Sequence, residues 1–141
     1  MIELTTTLLL LASAFTPASA EVPKTEAISN DHPLTSISVE AYVRDYFADE
    51  PLLAEIAKCE SGFRQFDSHG KVIRGEVNKS DIGILQINKY YHEEDAVKLG
   101  FDIYTIDGNL GYAKWLYAKY GDAPWIYSSK CWKKYKEIAQ K

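Results

Sequence analysis

The sequence is short of the residues from which metal centres and disulfide frameworks are made. Two cysteines and three scattered histidines among 141 residues cannot build a zinc finger or a disulfide-dense mini-protein. No eighteen-residue apolar run is present, which excludes a membrane-spanning helix in the mature chain. HExxH, Walker, GxGxxG and GxSxG motifs are missing, and with them the usual signatures of metalloproteases, P-loop proteins, dinucleotide binders and nucleophile-elbow hydrolases. No repeat period shows. A dominant charge is missing as well: 16 Lys and Arg against 20 Asp and Glu is too balanced for a disordered tail or a dedicated nucleic-acid binder. What survives is a soluble enzyme or binding domain with one core.

What is present begins with a leader. Leu8–Phe15 is an apolar run, followed by Pro17 and then Ala18-Ser19-Ala20, small at both positions that signal peptidase reads. This layout predicts a secretory signal peptide over residues 1–20, although its first residues carry Glu3 and no Lys or Arg. The other reading is an unpacked cytosolic N-terminus. Export would place Cys59 and Cys131 in an oxidising space, where a bridge between them would close a loop of about 70 residues, worth roughly 3–4 kcal/mol on the chain-entropy account. Two buried, unpaired thiols are the alternative. The basic end of the chain (Lys130, Lys133, Lys134, Lys136, Lys141) reads as the solvated face of a terminal helix or as a surface for an anionic polymer.

Residues 21–38 hold Pro23, Pro33 and no apolar period, and read as a linker or N-terminal arm. The folded domain is expected over 39–141. Val39–Ala48 has helical spacing, with Val39, Tyr42, Val43, Tyr46 and Phe47 on one stripe. Glu50-Pro51 looks like the start of a second helix, which buries Leu52, Leu53, Ile56 and Ala57 and stops at Ser61-Gly62. From Gln65 to Asp81 turn formers surround the short runs Lys71–Arg74 and Ile82–Ile87, which predicts a small hairpin. Helical pattern returns over Asn88–Leu99, with Gly100 as its stop. It returns again over Gly108–Tyr120, with Asp107 as cap, Leu110, Ala113, Leu116, Tyr117 and Tyr120 buried, and Gly121 at the end. Ser129–Ala139 reads as a short basic helix. The sum is α+β, mostly α.

Among residues able to do chemistry, His32, His69 and His92 each read as solvated surface groups. Neither cysteine has a histidine at a recognisable pairing distance, which disfavours a thiol nucleophile. Carboxylates remain. Glu60 ends a helix whose preceding turns are apolar, so it stands either at the mouth of the core or in solvent. At the core's mouth, desolvation would raise its pKa and keep it protonated, as a general acid requires. Asp81 lies 21 residues later at the head of Asp81-Ile82-Gly83-Ile84-Leu85-Gln86-Ile87-Asn88, whose glycine marks a place where something approaches the backbone closely. A hairpin would fold it back across a cleft, where Gln86 and Asn88 can bind sugar hydroxyls or amides; a plain buried hairpin is the alternative. Two carboxyls flanking a glycosidic bond are the usual glycosidase arrangement. Of ten Tyr and three Trp, most crowd into the C-terminal half and supply faces that pack on pyranose rings, although taken singly most are expected in the core.

Together these segments resemble the lysozyme-like superfamily, in particular the soluble lytic transglycosylase (SLT) domain family and its small exported members associated with secretion systems. Ile56-Ala57-Lys58-Cys59-Glu60-Ser61-Gly62-Phe63 resembles the family's Glu-Ser motif, and Asp81–Asn88 its Gly-Leu-Met-Gln motif. Asp107-Gly108-Asn109-Leu110-Gly111-Tyr112-Ala113 resembles the Asp-Pro-x-x-Asn-Ile-x-x-Gly segment. The likeness covers about residues 50–128. Where the family carries Ala-Tyr-Asn, this chain has Ala123-Pro124-Trp125-Ile126-Tyr127-Ser128. The resemblance implies a lysozyme-like fold and cleavage of the β-1,4 bond between N-acetylmuramic acid and N-acetylglucosamine in peptidoglycan. It places Glu60 as general acid/base, and Ser61, Gln86, Asn88 and Tyr127 on the substrate. No metal or organic cofactor is implied. The chain is expected to be an exported monomer whose partners are glycan strands and secretion or cell-wall machinery, not nucleic acid. The Asp81 run is also similar to c-type lysozymes, which would make Asp81 a second catalytic carboxylate and water the acceptor. A non-catalytic glycan-binding module and a secretion-system subunit are the rival classes.

Overall fold

The computed structural model describes residues 38–139. The expected leader, residues 21–37 of the expected arm, His32 and Lys141 lie outside the described residues. Five α-helices, a 3-10 segment and one two-stranded antiparallel sheet follow in the order α1 (Val39–Tyr46), α2 (Pro51–Ser61), β1 (Asp81–Ile82), β2 (Ile87–Asn88), α3 (Lys89–Lys98), α4 (Ile106–Tyr120), the 3-10 segment Ala123–Ser128, and α5 (Ser129–Ala139). The mostly helical α+β class expected from the sequence is what these residues form. No described helix is long and apolar enough to cross a membrane.

Local chemistry sets most boundaries. Ser38 accepts from the Ala41 amide and caps α1, so the last residue of the expected arm belongs to the fold. Pro51 occupies the first turn of α2, where its missing N–H costs nothing. Gly62 ends α2 with φ 61°, and Gly62 and Phe63 return their amides to the Lys58 and Ala57 carbonyls. Asn88 caps α3 through the Tyr90 amide. The expected cap of α4 is corrected: Thr105, not Asp107, accepts from the Gly108 amide, so the helix starts two residues earlier. Asp107 instead accepts from the Tyr42 hydroxyl and ties α4 to α1. The expected hairpin is smaller than its sequence signal. Its ladder pairs only Asp81 with Asn88 and Ile82 with Ile87, and Lys71–Arg74 joins through the isolated bridges Phe66–Val72 and Arg74–Ile82.

The core is built from Val43 of α1 and Phe47 at its C-terminal cap, Leu53, Ile56 and Ala57 of α2, Ile82 of β1 with the loop residues Ile84 and Leu85, and Leu110, Tyr112, Ala113 and Leu116 of α4. Trp125 and Trp132 close it from the C-terminal side. One expectation fails here. Tyr120, expected in the core, is exposed, as are Val39 and Tyr42 on the stripe of α1. Most of the C-terminal aromatics do pack in or against the core: Tyr112, Trp125 and Trp132 are buried and Tyr104, Trp115 and Tyr117 pack half-buried against it, while Tyr90, Tyr91, Tyr120 and Tyr127 face solvent. Cys59 and Cys131 form a disulfide that fastens α2 to α5.

Candidate functional site

Three polar side chains are buried in this core, Ser61, Gln65 and Asn109, and all three grip the same stretch of backbone. Gln65 Oε1 accepts from the Ile84 amide at 2.8 Å and Asn109 Oδ1 from the Leu85 amide at 3.0 Å. Asn109 Nδ2 donates to the carbonyls of Ile82 and Ile103, and Ser61 Oγ lies 2.9 Å from the Ile84 carbonyl. From the other side Trp125 Nε1 donates to the Leu85 carbonyl at 2.8 Å. The loop between β1 and β2 therefore sits inside the protein with its polar groups satisfied by side chains of four separate segments. Gly83 is the position that permits it. Its φ is 69°, and a Cβ there would come within 2.4 Å of Gln65 Oε1 and 2.7 Å of Asn109 Nδ2.

This clamp aims the two ends of the loop at a cleft. A cavity of about 1090 Å³ runs along the segment 64–79, and a second of about 380 Å³ reaches toward α3 and the 3-10 segment. Glu60, Asn78, Asp81, Gln86 and Tyr127 line both, so the two are halves of one groove meeting at the candidate acid. Backbone strain is concentrated beside it. Phe63 and Gln86 are the non-glycine described residues with positive φ, 60° and 49°, a conformation that costs of order 1–3 kcal/mol where packing does not enforce it.

Glu60 emerges from the last turn of α2, half-buried at the rim of the core. Its Oε1 accepts a hydrogen bond of 2.6 Å from Ser128 Oγ. Burial lifts its pKa above the ordinary 4.5, the Ser128 bond opposes that rise, and the negative charge of Asp81 adds to it. Asp81 Oδ1 accepts from Asn88 Nδ2 at 2.7 Å and from Asn78 Nδ2 at 3.3 Å, which fixes a carboxylate on the wall opposite the hairpin's turn. A partly desolvated carboxyl held near a fixed anion in an open groove is suited to giving up and retaking one proton.

The other expected site residues separate into two groups. Gln86 and Tyr127 line the groove, Tyr127 fully exposed. Ser61 does not line it: its hydroxyl is buried between the Ala57 and Ile84 carbonyls and accepts from the Arg64 amide, so it positions the loop rather than touching a ligand. Asn88 borders the smaller cavity, but its side chain is already engaged by Asp81 and by the α3 cap. The expectation for His92 is corrected. It is half-buried on the same cavity, its Nδ1 lies 3.2 Å from the Tyr112 hydroxyl, and burial lowers its pKa while Asp95 opposes this. The sequence reading missed Ser128, Gln65 and Trp132. Only the glycine at position 83 offered a signal, and it marked a close approach without naming the approaching side chains.

No family model, curated protein or solved structure matches this chain. Among the described residues no cluster of His, Cys, Asp and Glu is arranged to hold a metal ion.

Proposed function

We propose that the protein is a peptidoglycan-cleaving lytic transglycosylase of lysozyme-like fold, exported to the cell envelope, with Glu60 as its general acid and base. The observation that carries this reading is the Glu60 carboxyl, lifted in pKa by burial and placed where both halves of the groove meet. In this reaction Glu60 gives its proton to the glycosidic oxygen as the bond from the muramic C1 breaks. The carboxylate then takes the proton of the muramic 6-hydroxyl, whose oxygen closes on C1 to give a 1,6-anhydro end. The acid is thereby restored, and the amide of the substrate stands in for a protein nucleophile. The leader pattern and the Cys59–Cys131 bridge accord with an oxidising compartment.

A second reading is favoured by one feature. Asp81 is anchored by two asparagine amides and lines the groove with Glu60, as a second carboxylate should be in a lysozyme that delivers water to C1. Mass spectrometry of fragments released from purified sacculi separates the two. Anhydromuramic ends from the wild type, absent with Glu60→Gln, support the transglycosylase. Reducing ends, with a loss of orders of magnitude in Asp81→Asn, mean a lysozyme. Absence of any Glu60-dependent product sinks both readings and leaves a binding or assembly module.

A further inference from the structure

The Ser128 hydroxyl has more neighbours than it has protons. Its Oγ lies 2.6 Å from Glu60 Oε1, 3.0 Å from the Trp125 carbonyl and 2.9 Å from Trp132 Nε1. The indole N–H can only donate, and the backbone carbonyl can only accept. Ser128 therefore accepts from Trp132 in every state and has one hydrogen to place, either on Glu60 or on the Trp125 carbonyl. With Glu60 ionised, the hydrogen turns to Oε1 and stabilises the carboxylate. With a proton on Oε1, the carboxyl donates to Ser128, and the serine hydrogen turns to the Trp125 carbonyl. With the proton on Oε2, Ser128 donates to Oε1. The hydrogen bond that Glu60 makes among the described residues uses Oε1, which leaves Oε2 for a substrate oxygen. All three arrangements keep the heavy atoms in place.

We propose that Ser128 is the positioning residue of Glu60: a hydroxyl that serves the carboxyl as donor when it is charged and as donor or acceptor when it is protonated, oriented by the Trp132 indole. This rests on the reading of Glu60 as an acid/base and deepens it, because a group that must both give and retake a proton needs a partner that suits both states. A lysine or arginine there would hold the carboxyl ionised, and an alanine would leave it unsupported when charged. The frame around the hydroxyl is rigid. Trp125 and Trp132 are buried, Trp125 is tied to the Leu85 carbonyl, and the disulfide joins Cys59, next to Glu60, with Cys131, next to Trp132. Both ends of the contact are thus covalently tethered. Other titratable groups share the groove: Arg64 beyond α2, Asp81 on β1, His92 on α3 and Tyr127 in the 3-10 segment. Farther along lie Asp67, Lys71, Arg74, Glu76, Lys79 and Tyr104. None of these has a hydrogen bond to the Glu60 carboxyl in the structure; Ser128 alone among the described residues does.

The test is a carbon-13 titration of the glutamate carboxyls, with Glu60 assigned by its loss in Glu60→Gln, beside the pH profile of sacculus cleavage. In Ser128→Ala the Glu60 pKa is expected to rise by about one unit, the worth of a hydrogen bond to a charged group. The alkaline limb of kcat/KM should move up by the same amount, since the acid must be protonated to act. Ser128→Thr should restore both. Trp132→Phe, which keeps the ring and removes the N–H, should move the titration in the same direction by less, and it serves if the alanine variant does not fold. A folded Ser128→Ala or Trp132→Phe protein in which Glu60 titrates as in the wild type overturns the proposal. A shifted titration in a protein that releases nothing from sacculi would uphold the hold of Ser128 on Glu60 and defeat the function proposed above.

Discussion

Glu60 illustrates how one residue sets stability and function against each other. Its folded pKa is raised, chiefly by burial, so the folded state holds the proton more tightly than the unfolded chain does. Its contribution to stability is complete below the ordinary value of 4.5 and is lost as pH rises through the folded pKa. Replacing it with the neutral amide removes that loss. Glu60→Gln is therefore expected to melt higher than the wild type at pH 8 and to match it near pH 4, as read by thermal unfolding at both values. Equal melting temperatures at pH 8 would mean that the carboxyl is no costlier to ionise in the fold than in water. The position of Glu60 was legible in the sequence because it ends an apolar helical stripe. Ser128 was not, since a serine after Trp-Ile-Tyr gives no sign that its hydroxyl will meet a side chain 68 positions away.

Among the elements, the short hairpin is the one that the rest of the fold serves. Each of its strands has two residues, too few to hold a sheet alone, and its register comes from the buried amides of Gln65 and Asn109. These two side chains leave room for no Cβ at position 83. Gly83→Ala is expected to cost about 2–4 kcal/mol, from the positive φ and from displaced buried hydrogen bonds. It should also lower cleavage, since Asp81 and Gln86 hang from the ends of that loop. Urea unfolding measures the first effect, and a cost under about 0.5 kcal/mol would show that the clamp is loose. The sequence indicated a glycine that something approaches, and helix boundaries followed closely from Pro51, Gly62, Gly100 and Gly121. The α4 cap did not, because Thr105 and Asp107 are both good caps and the choice between them was made by Tyr42, which claims the aspartate from α1.

At the scale of the whole molecule, the disulfide joins residues 72 apart and closes most of the described fold into one loop. On the chain-entropy account that constraint is worth about 4 kcal/mol, a large share of the stability of a domain this size. The double variant Cys59→Ala, Cys131→Ala is expected to lose stability by about that amount and to lose cleavage activity more steeply, because α5 carries the indole that steadies Ser128. Chemical unfolding of the double variant, and of the wild type with and without reductant, checks this. A double variant as stable as the wild type would assign the fastening of α5 to Trp132 and the 3-10 segment instead.

Local chemistry written in the sequence determined the helices, their stops, the mostly α class and the two carboxylates worth attention, since caps, glycines and apolar periods act within a few residues of where they are written. What only the tertiary structure decided is which polar side chains go inside. Gln65 lies in a stretch of turn formers and Asn109 in a helix, and nothing local distinguishes them from solvated residues. They are buried because the loop at 82–85, once packed between α2, α4 and the 3-10 segment, has amides and carbonyls that water no longer reaches. The same packing exposes Tyr127 and Tyr120 and buries Trp125, as aromatic residues carry no mark of which side of a surface they will face. It also brings Ser128 to Glu60, and so sets the environment in which that carboxyl titrates.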